Sequence, residues 1–93
     1  MALLSEQDVE KGLAELPQWN REGDEIVSER KLADFDAAIA FVNAVAEVAE
    51  AANHHPDLLL HGWNNVRLTL STHSEGGLTA ADLSLAGQIE AIA

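Results

Sequence analysis

The sequence predicts an α+β domain, a four-stranded antiparallel sheet with three helices packed on one face in the order α-β-β-α-β-β-α. Three observations carry that expectation. Apolar residues recur at helical spacing in three separate segments, and the stretches between them read as two hairpins. No repeat and no stretch rich in Pro, Gly or Ser divides the 93 residues, so 1–93 reads as a single domain.

Ser5, followed three positions later by Asp8, resembles a capping box. Val9, Leu13 and Leu16 then recur at i, i+4 and i+7, which predicts a short amphipathic helix over 6–16, ended by Pro17. Trp19 to Glu22, a Gly23-Asp24 turn and Glu25 to Leu32 form the first hairpin, although only Ile26, Val27 and Leu32 of its second strand are strongly apolar. Asp34 is a candidate N-cap for the longest helix, from about Phe35 to Ala52. Asp36, Asn43, Glu47 and Glu50 fall within about 60° of one another on its wheel, and His54 continues that stripe if the helix persists so far. The apolar arc opposite is unusually wide. Phe35, Ile39, Val42 and Ala46 form one edge and Phe41, Val45 and Val48 the other, where a surface helix needs a stripe of only about 100°. One edge is expected to cover the sheet and the other to meet a neighbouring helix or another subunit.

Leu58 to Leu60 reads as a third strand, Asn64-Asn65 as a turn, and Val66 to Thr72 as a fourth strand. In that strand Val66, Leu68 and Leu70 share one face, while Arg67, Thr69, Ser71 and His73 share the other. After a Gly76-Gly77 turn, Thr79 caps a final helix running to about Ile92, with Asp82 at the N3 position. Leu78 and Leu83 stand where a hydrophobic staple places them.

Composition narrows the function. Sixteen acidic against five basic residues give a net charge of −11, which repels phosphate backbones and anionic membranes. The absence of Cys excludes disulfides, thiolate catalysis and thiolate zinc sites, and fits a reducing cytosol. No basic residue precedes an apolar run at the N-terminus, and no apolar stretch of about 18 residues occurs, so neither a signal peptide nor a membrane span is expected. A cytoplasmic protein, with no direct nucleic-acid partner, is the expectation.

Chemistry is concentrated in the histidines. His54 and His55 lie at a helix end and His73 at a strand end, and the intervening hairpin brings those ends together. Imidazole transfers protons well near neutral pH. Glu50, one turn before His54, is placed to orient that ring. Plainer readings stand beside these. A His pair at a helix C-terminus meets the negative end of the macrodipole. Adjacent histidines serve one metal less readily than an i, i+4 pair, and no His-Glu-x-x-His occurs. His61 reads as a surface residue, Trp63 as a core or hairpin aromatic, and Asp82 first of all as a helix cap.

Taken together, the string Glu50-x3-His54-His55-Pro56-x6-Trp63-x9-His73-x8-Asp82 resembles the signature of the pterin-4a-carbinolamine dehydratases. The Gly-Gly-Leu-Thr run before the last helix resembles that family too, and the resemblance covers essentially the whole chain. It implies a lyase converting 4a-hydroxytetrahydrobiopterin to quinonoid dihydropterin and water in tetrahydrobiopterin recycling. It makes His54, His55 and His73 the pocket histidines, with Glu50 and Asp82 as supporting carboxylates. Trp19, Trp63 and Pro56 become substrate-binding positions. No metal or cofactor is implied, and the expected state is a homodimer or homotetramer.

Three positions depart from the family's usual pattern. Six residues separate Pro56 from Trp63 where animal members have five, which raises the prospect of a bulge in the third strand. Leu58 stands where an aromatic is common, and Asn53 where animal members carry Asp. The same fold also implies a rival class, a binding protein of the transcriptional dimerisation-cofactor or Rubisco-assembly-chaperone type. The intact histidine set argues against a purely degenerate relative.

Overall fold

A computed structural model describes residues 2–92. The order is α1 (Glu6–Ala14), β1 (Trp19–Glu22), β2 (Glu25–Lys31), α2 (Phe35–Ala52), β3 (Asp57–His61), β4 (Asn65–Leu70) and α3 (Ala80–Glu90), with a one-turn 3₁₀ helix, His73–Glu75, between β4 and α3. The strands form one antiparallel sheet in the order β1-β2-β4-β3, so the two hairpins join through their second strands. This is the α+β architecture expected from the sequence.

Strand alternation sorts the sheet into two faces. Ile26, Ser28, Val66, Leu68 and Leu70 are buried on the inner face, where they meet α2 through Ala38, Phe41, Val45 and Ala49, and α3 through Leu85, Ala86 and Ile89. The outer face is largely polar, and Arg67 there bridges Glu22 at 3.1 Å and Glu29 at 3.8 Å. α1 contributes Val9 to the core and lies against α3, for a Cβ added at Gly12 would sit 2.4 Å from Leu83 Cδ1. The second apolar edge of α2 is covered only in part, since Val42 is half-buried against the core while Phe35 and Ile39 remain 51% and 39% exposed.

Two helix starts follow the sequence closely. Asp34 accepts the Ala37 N–H at 2.8 Å, and Thr79 with Asp82 closes a reciprocal capping box on α3. At α1 Ser5 accepts the Asp8 N–H at 3.1 Å. That helix stops at Ala14, two residues short of the expected Leu16, because the Glu15 and Leu16 amides turn back to Gly12 and Leu13. α3 likewise ends at Glu90, before the expected Ile92.

A polar network ties the far end of α3 to the sheet. Glu90 Oε1 accepts the Trp19 indole N–H at 3.0 Å and also pairs with Arg30. Arg30 in turn donates to Ser28 Oγ at 3.1 Å and lies 5.6 Å over the Phe41 ring.

The second hairpin departs from expectation at both ends. Its register is one-to-one from Asp57↔Thr69 to His61↔Asn65, so β3 contains no bulge. The connection is the loop 62–64 rather than Asn64-Asn65. Gly62 and Trp63 take φ of +54° and +60° there, and Asn65 already belongs to β4. A left-handed backbone costs a bulky residue about 1–2 kcal/mol. Buried Asn64 clamps the loop, since its side chain donates to Leu32 O at 2.9 Å and its own carbonyl accepts the Leu32 N–H at 2.8 Å. At the other end β4 stops at Leu70, and His73 sits on the 3₁₀ turn instead of extending the strand.

Candidate active site

The end of α2 sets the first half of the site. Asn53 caps the helix with φ +51°, and the Asn53 and His54 amides donate back to Glu50 and Ala49 carbonyls at 3.1 Å. Asn tolerates this conformation far better than a β-branched residue. The reversal swings His54 off the Glu50 stripe, which corrects the pairing expected from helical spacing. Glu50 instead meets His55, Oε1 to Nε2 at 2.6 Å, with both side chains more than half exposed. His54 turns inward to Asp82, Nε2 to Oδ1 at 2.5 Å, where the carboxylate is fully buried. Asn53→Gly should therefore keep the melting temperature near that of the parent. Asn53→Val should lower stability by about 1–2 kcal/mol, read by thermal unfolding.

Asp82 holds two positions at once. Its Oδ2 accepts the Thr79 N–H at 2.9 Å as the α3 cap and the Thr72 hydroxyl at 2.8 Å, while Oδ1 faces His54. An ionised carboxylate only accepts hydrogen bonds, so His54 Nε2 is the donor and its Nδ1 is left for other chemistry.

The opposite wall comes from the chain just after β4. Asn53, His54, His55, Ser71, Thr72, His73 and Ser74 line one cleft of about 190 Å³, so the three histidines named from the sequence share a single surface. Ser71 and His73 also border a second cleft of about 400 Å³, walled by Glu22, Asp24, Glu25 and Gly76. Among the described residues no group of three His, Cys, Asp or Glu is arranged to hold a metal ion.

The remaining candidates lie elsewhere or at the margin. Pro56 is half-buried between the His pair and β3. Trp19 is buried in the core against Glu90 and is not among the residues lining the histidine cleft. Trp63 is 61% exposed in the β3–β4 loop. That loop and the histidines are separated by the length of a five-residue strand, about 17 Å. His61 is at the surface, 3.6 Å from Glu29.

Sequence reasoning did not single out Thr72. The signal was present, because Thr72 continues the inward series Val66, Leu68, Leu70 and so puts a hydroxyl where the pleat calls for an apolar side chain.

Fold and site together define a small α+β protein with a histidine–carboxylate cleft suited to proton transfer. The comparisons narrow this. Residues 2–92 match the family model described as pterin 4 alpha carbinolamine dehydratase. A Nocardia farcinica protein named "Putative pterin-4-alpha-carbinolamine dehydratase" is 50% identical over 91 residues, covering 98% of this chain and 95% of its own. A Chloroflexus aurantiacus protein of the same name is 51% identical over 92 residues, covering 99% and 98%. The crystal structure of a transcriptional coactivator/pterin dehydratase from Brucella melitensis superposes with a TM-score of 0.92 at 34% identity, covering 99% of each chain. A pterin dehydratase-like protein identified as a RuBisCO assembly factor of the alpha-carboxysome shares the fold, with a TM-score of 0.68 at 22% identity over 80% of this chain and 87% of that one. The chain belongs to the pterin-4a-carbinolamine dehydratase family.

Proposed function

We propose that the protein dehydrates a 4a-hydroxytetrahydropterin, 4a-hydroxytetrahydrobiopterin in tetrahydrobiopterin recycling, to the quinonoid dihydropterin and water. The observation that carries this reading is the clustering of His54, His55 and His73 on one cleft, with His54 backed by the buried Asp82. In the reaction the C4a–O bond breaks as the departing hydroxyl takes a proton. The N5 proton is removed, and its bonding pair forms the N5=C4a double bond. One acid and one base on the same ring are needed, and imidazoles near neutral pH suit both roles. Asp82 keeps the His54 ring from rotating, so a proton at Nδ1 has a fixed direction. His55 is steadied more weakly, because its contact with Glu50 is exposed and screened. No step calls on a metal or cofactor. Pro56 shapes the approach to the cleft and Trp63 is available to a substrate or a second copy, while Trp19 supports the site only through the core. The site of action proposed is the cytoplasm. Among the described residues no helix is long and apolar enough to cross a membrane.

The test is turnover of chemically generated 4a-hydroxytetrahydropterin, followed by the absorbance of the quinonoid product. Acceleration over the uncatalysed rate is expected, and its absence in folded protein would refute the assignment.

Self-association beside the catalytic role is favoured by the part of the α2 edge left uncovered, where Phe35 and Ile39 are exposed. An apolar helix edge of this kind is best buried against another copy, giving a homodimer or homotetramer. Light scattering at micromolar concentration should give a multiple of the 10.0 kDa chain mass. A species of single-chain mass would overturn the association.

A further inference from the structure

We propose that Thr72 is a positioning residue for this site, which fixes the geometry of His54 through Asp82; the inference deepens the dehydratase reading and rests on it for its catalytic consequence. Thr72 is the N-cap residue of the 3₁₀ turn that carries His73, and its carbonyl accepts the Glu75 and Gly76 amides at 3.0 Å. A threonine there ordinarily turns its hydroxyl onto the first amides of its own turn. Thr72 makes no such side-chain cap. Its hydroxyl donates instead to Asp82 Oδ2 at 2.8 Å, across ten residues of chain.

The diverted hydroxyl belongs to a chain of bonds with one direction. The Thr72 proton is committed to a carboxylate that only accepts, so its oxygen receives the Thr79 hydroxyl proton at 2.8 Å. Thr79 Oγ1 accepts in turn from the Ala81 N–H at 3.3 Å. The order is Thr79 to Thr72 to Asp82, met from the other side by His54 Nε2. Each donor polarises the next acceptor in a chain that runs between the fully buried Thr79 and Asp82 and the half-buried Thr72 and His54. With Oδ2 held by Thr72 and by the Thr79 N–H, the carboxylate plane cannot swing and Oδ1 is left facing His54. Thr72 thus joins the wall that bears His73 to the carboxylate that orients His54, and sets the two histidines relative to each other. A purely structural role would end at the α3 cap, which the Thr79 N–H already provides.

The test compares Thr72→Val, which keeps the shape and removes the hydroxyl, with Thr72→Ser, which keeps the hydroxyl. Two readouts are taken: dehydration of chemically generated 4a-hydroxytetrahydropterin, and the downfield His54 N–H proton resonance in substrate-free protein, assigned by its loss in His54→Gln. In Thr72→Val, kcat per folded molecule should fall about tenfold or more with KM nearly unchanged, the scale of a lost hydrogen bond to a charged group. The His54 resonance should shift or broaden. Thr72→Ser should restore both. An unchanged resonance in folded Thr72→Val, or equal losses in the Val and Ser variants, would overturn the proposal. If Thr72→Val does not fold, Thr72→Ser and Thr72→Ala are compared by the same resonance, and identical spectra overturn it. Parent protein without turnover, but with a resonance that responds to Thr72, would sink the dehydratase reading and leave the positioning role standing.

Discussion

Replacing His54 and His73 together is expected to cost clearly less than the product of the two single losses. Each alanine variant should lower turnover by about 10²–10⁴, the usual contribution of a general acid or base. Both side chains line the same cleft, and the reaction needs a donor and an acceptor on one ring. Residues that serve one transition state lose activity non-additively, so the second removal finds little left to take away. His73 is exposed on its turn, so its loss should leave the fold intact. His54→Ala removes a donor to buried Asp82, so circular dichroism must accompany the kinetics. Near-parent turnover in a folded double variant would return the histidines to the role of helix-end and turn residues.

Asp82 should separate folding from chemistry in two steps. Asp82→Asn preserves shape and can present its oxygen to the Thr79 amide and the Thr72 hydroxyl, keeping the cap. Its amide nitrogen then faces His54 Nε2 and forces that atom to accept, which reverses the tautomer. Turnover should fall by about 10² or more while the melting temperature changes little, as expected when an orienting carboxylate is neutralised. Asp82→Ala also strands the buried Thr79 N–H and takes the carboxylate from the half-buried Thr72 hydroxyl. Its stability should drop by about 2–4 kcal/mol, combining a lost cap with unsatisfied polar groups. Full turnover in a folded Asp82→Asn protein would make Asp82 structural only.

Legibility in the sequence followed the range of the interaction. The bounds of α2, the Gly23-Asp24 turn and the Thr79–Asp82 capping box depend on neighbours within a turn or two, and each was readable from spacing. The closeness of His54, His55 and His73 was readable too, because a hairpin returns its ends to one place. The partners of those histidines were not. A single left-handed residue, Asn53, ends the helical period and moves His54 from Glu50 to a carboxylate 28 positions away. The 3₁₀ turn at His73 breaks the strand alternation in the same manner, through backbone bonds from 75–77 to the Thr72 carbonyl that no pattern of apolar residues encodes. The pairing of Arg30 with Glu90 spans 60 positions, and only the packing of α3 on the sheet brings it about.

The two tryptophans have a consequence of another kind. The chain has two Trp and no Tyr, so its near-ultraviolet emission comes from just two places. Trp19 is 3% exposed, with its indole N–H bonded to Glu90, whereas Trp63 stands in solvent on the hairpin loop. The spectrum is therefore a sum of a blue, shielded emitter and a red, quenchable one. A neutral quencher such as acrylamide should extinguish the red part first and reach the blue part only when the core opens. Light from one end of the molecule thus reports contacts at the loop, while light from the other reports whether α3 is still seated on the sheet.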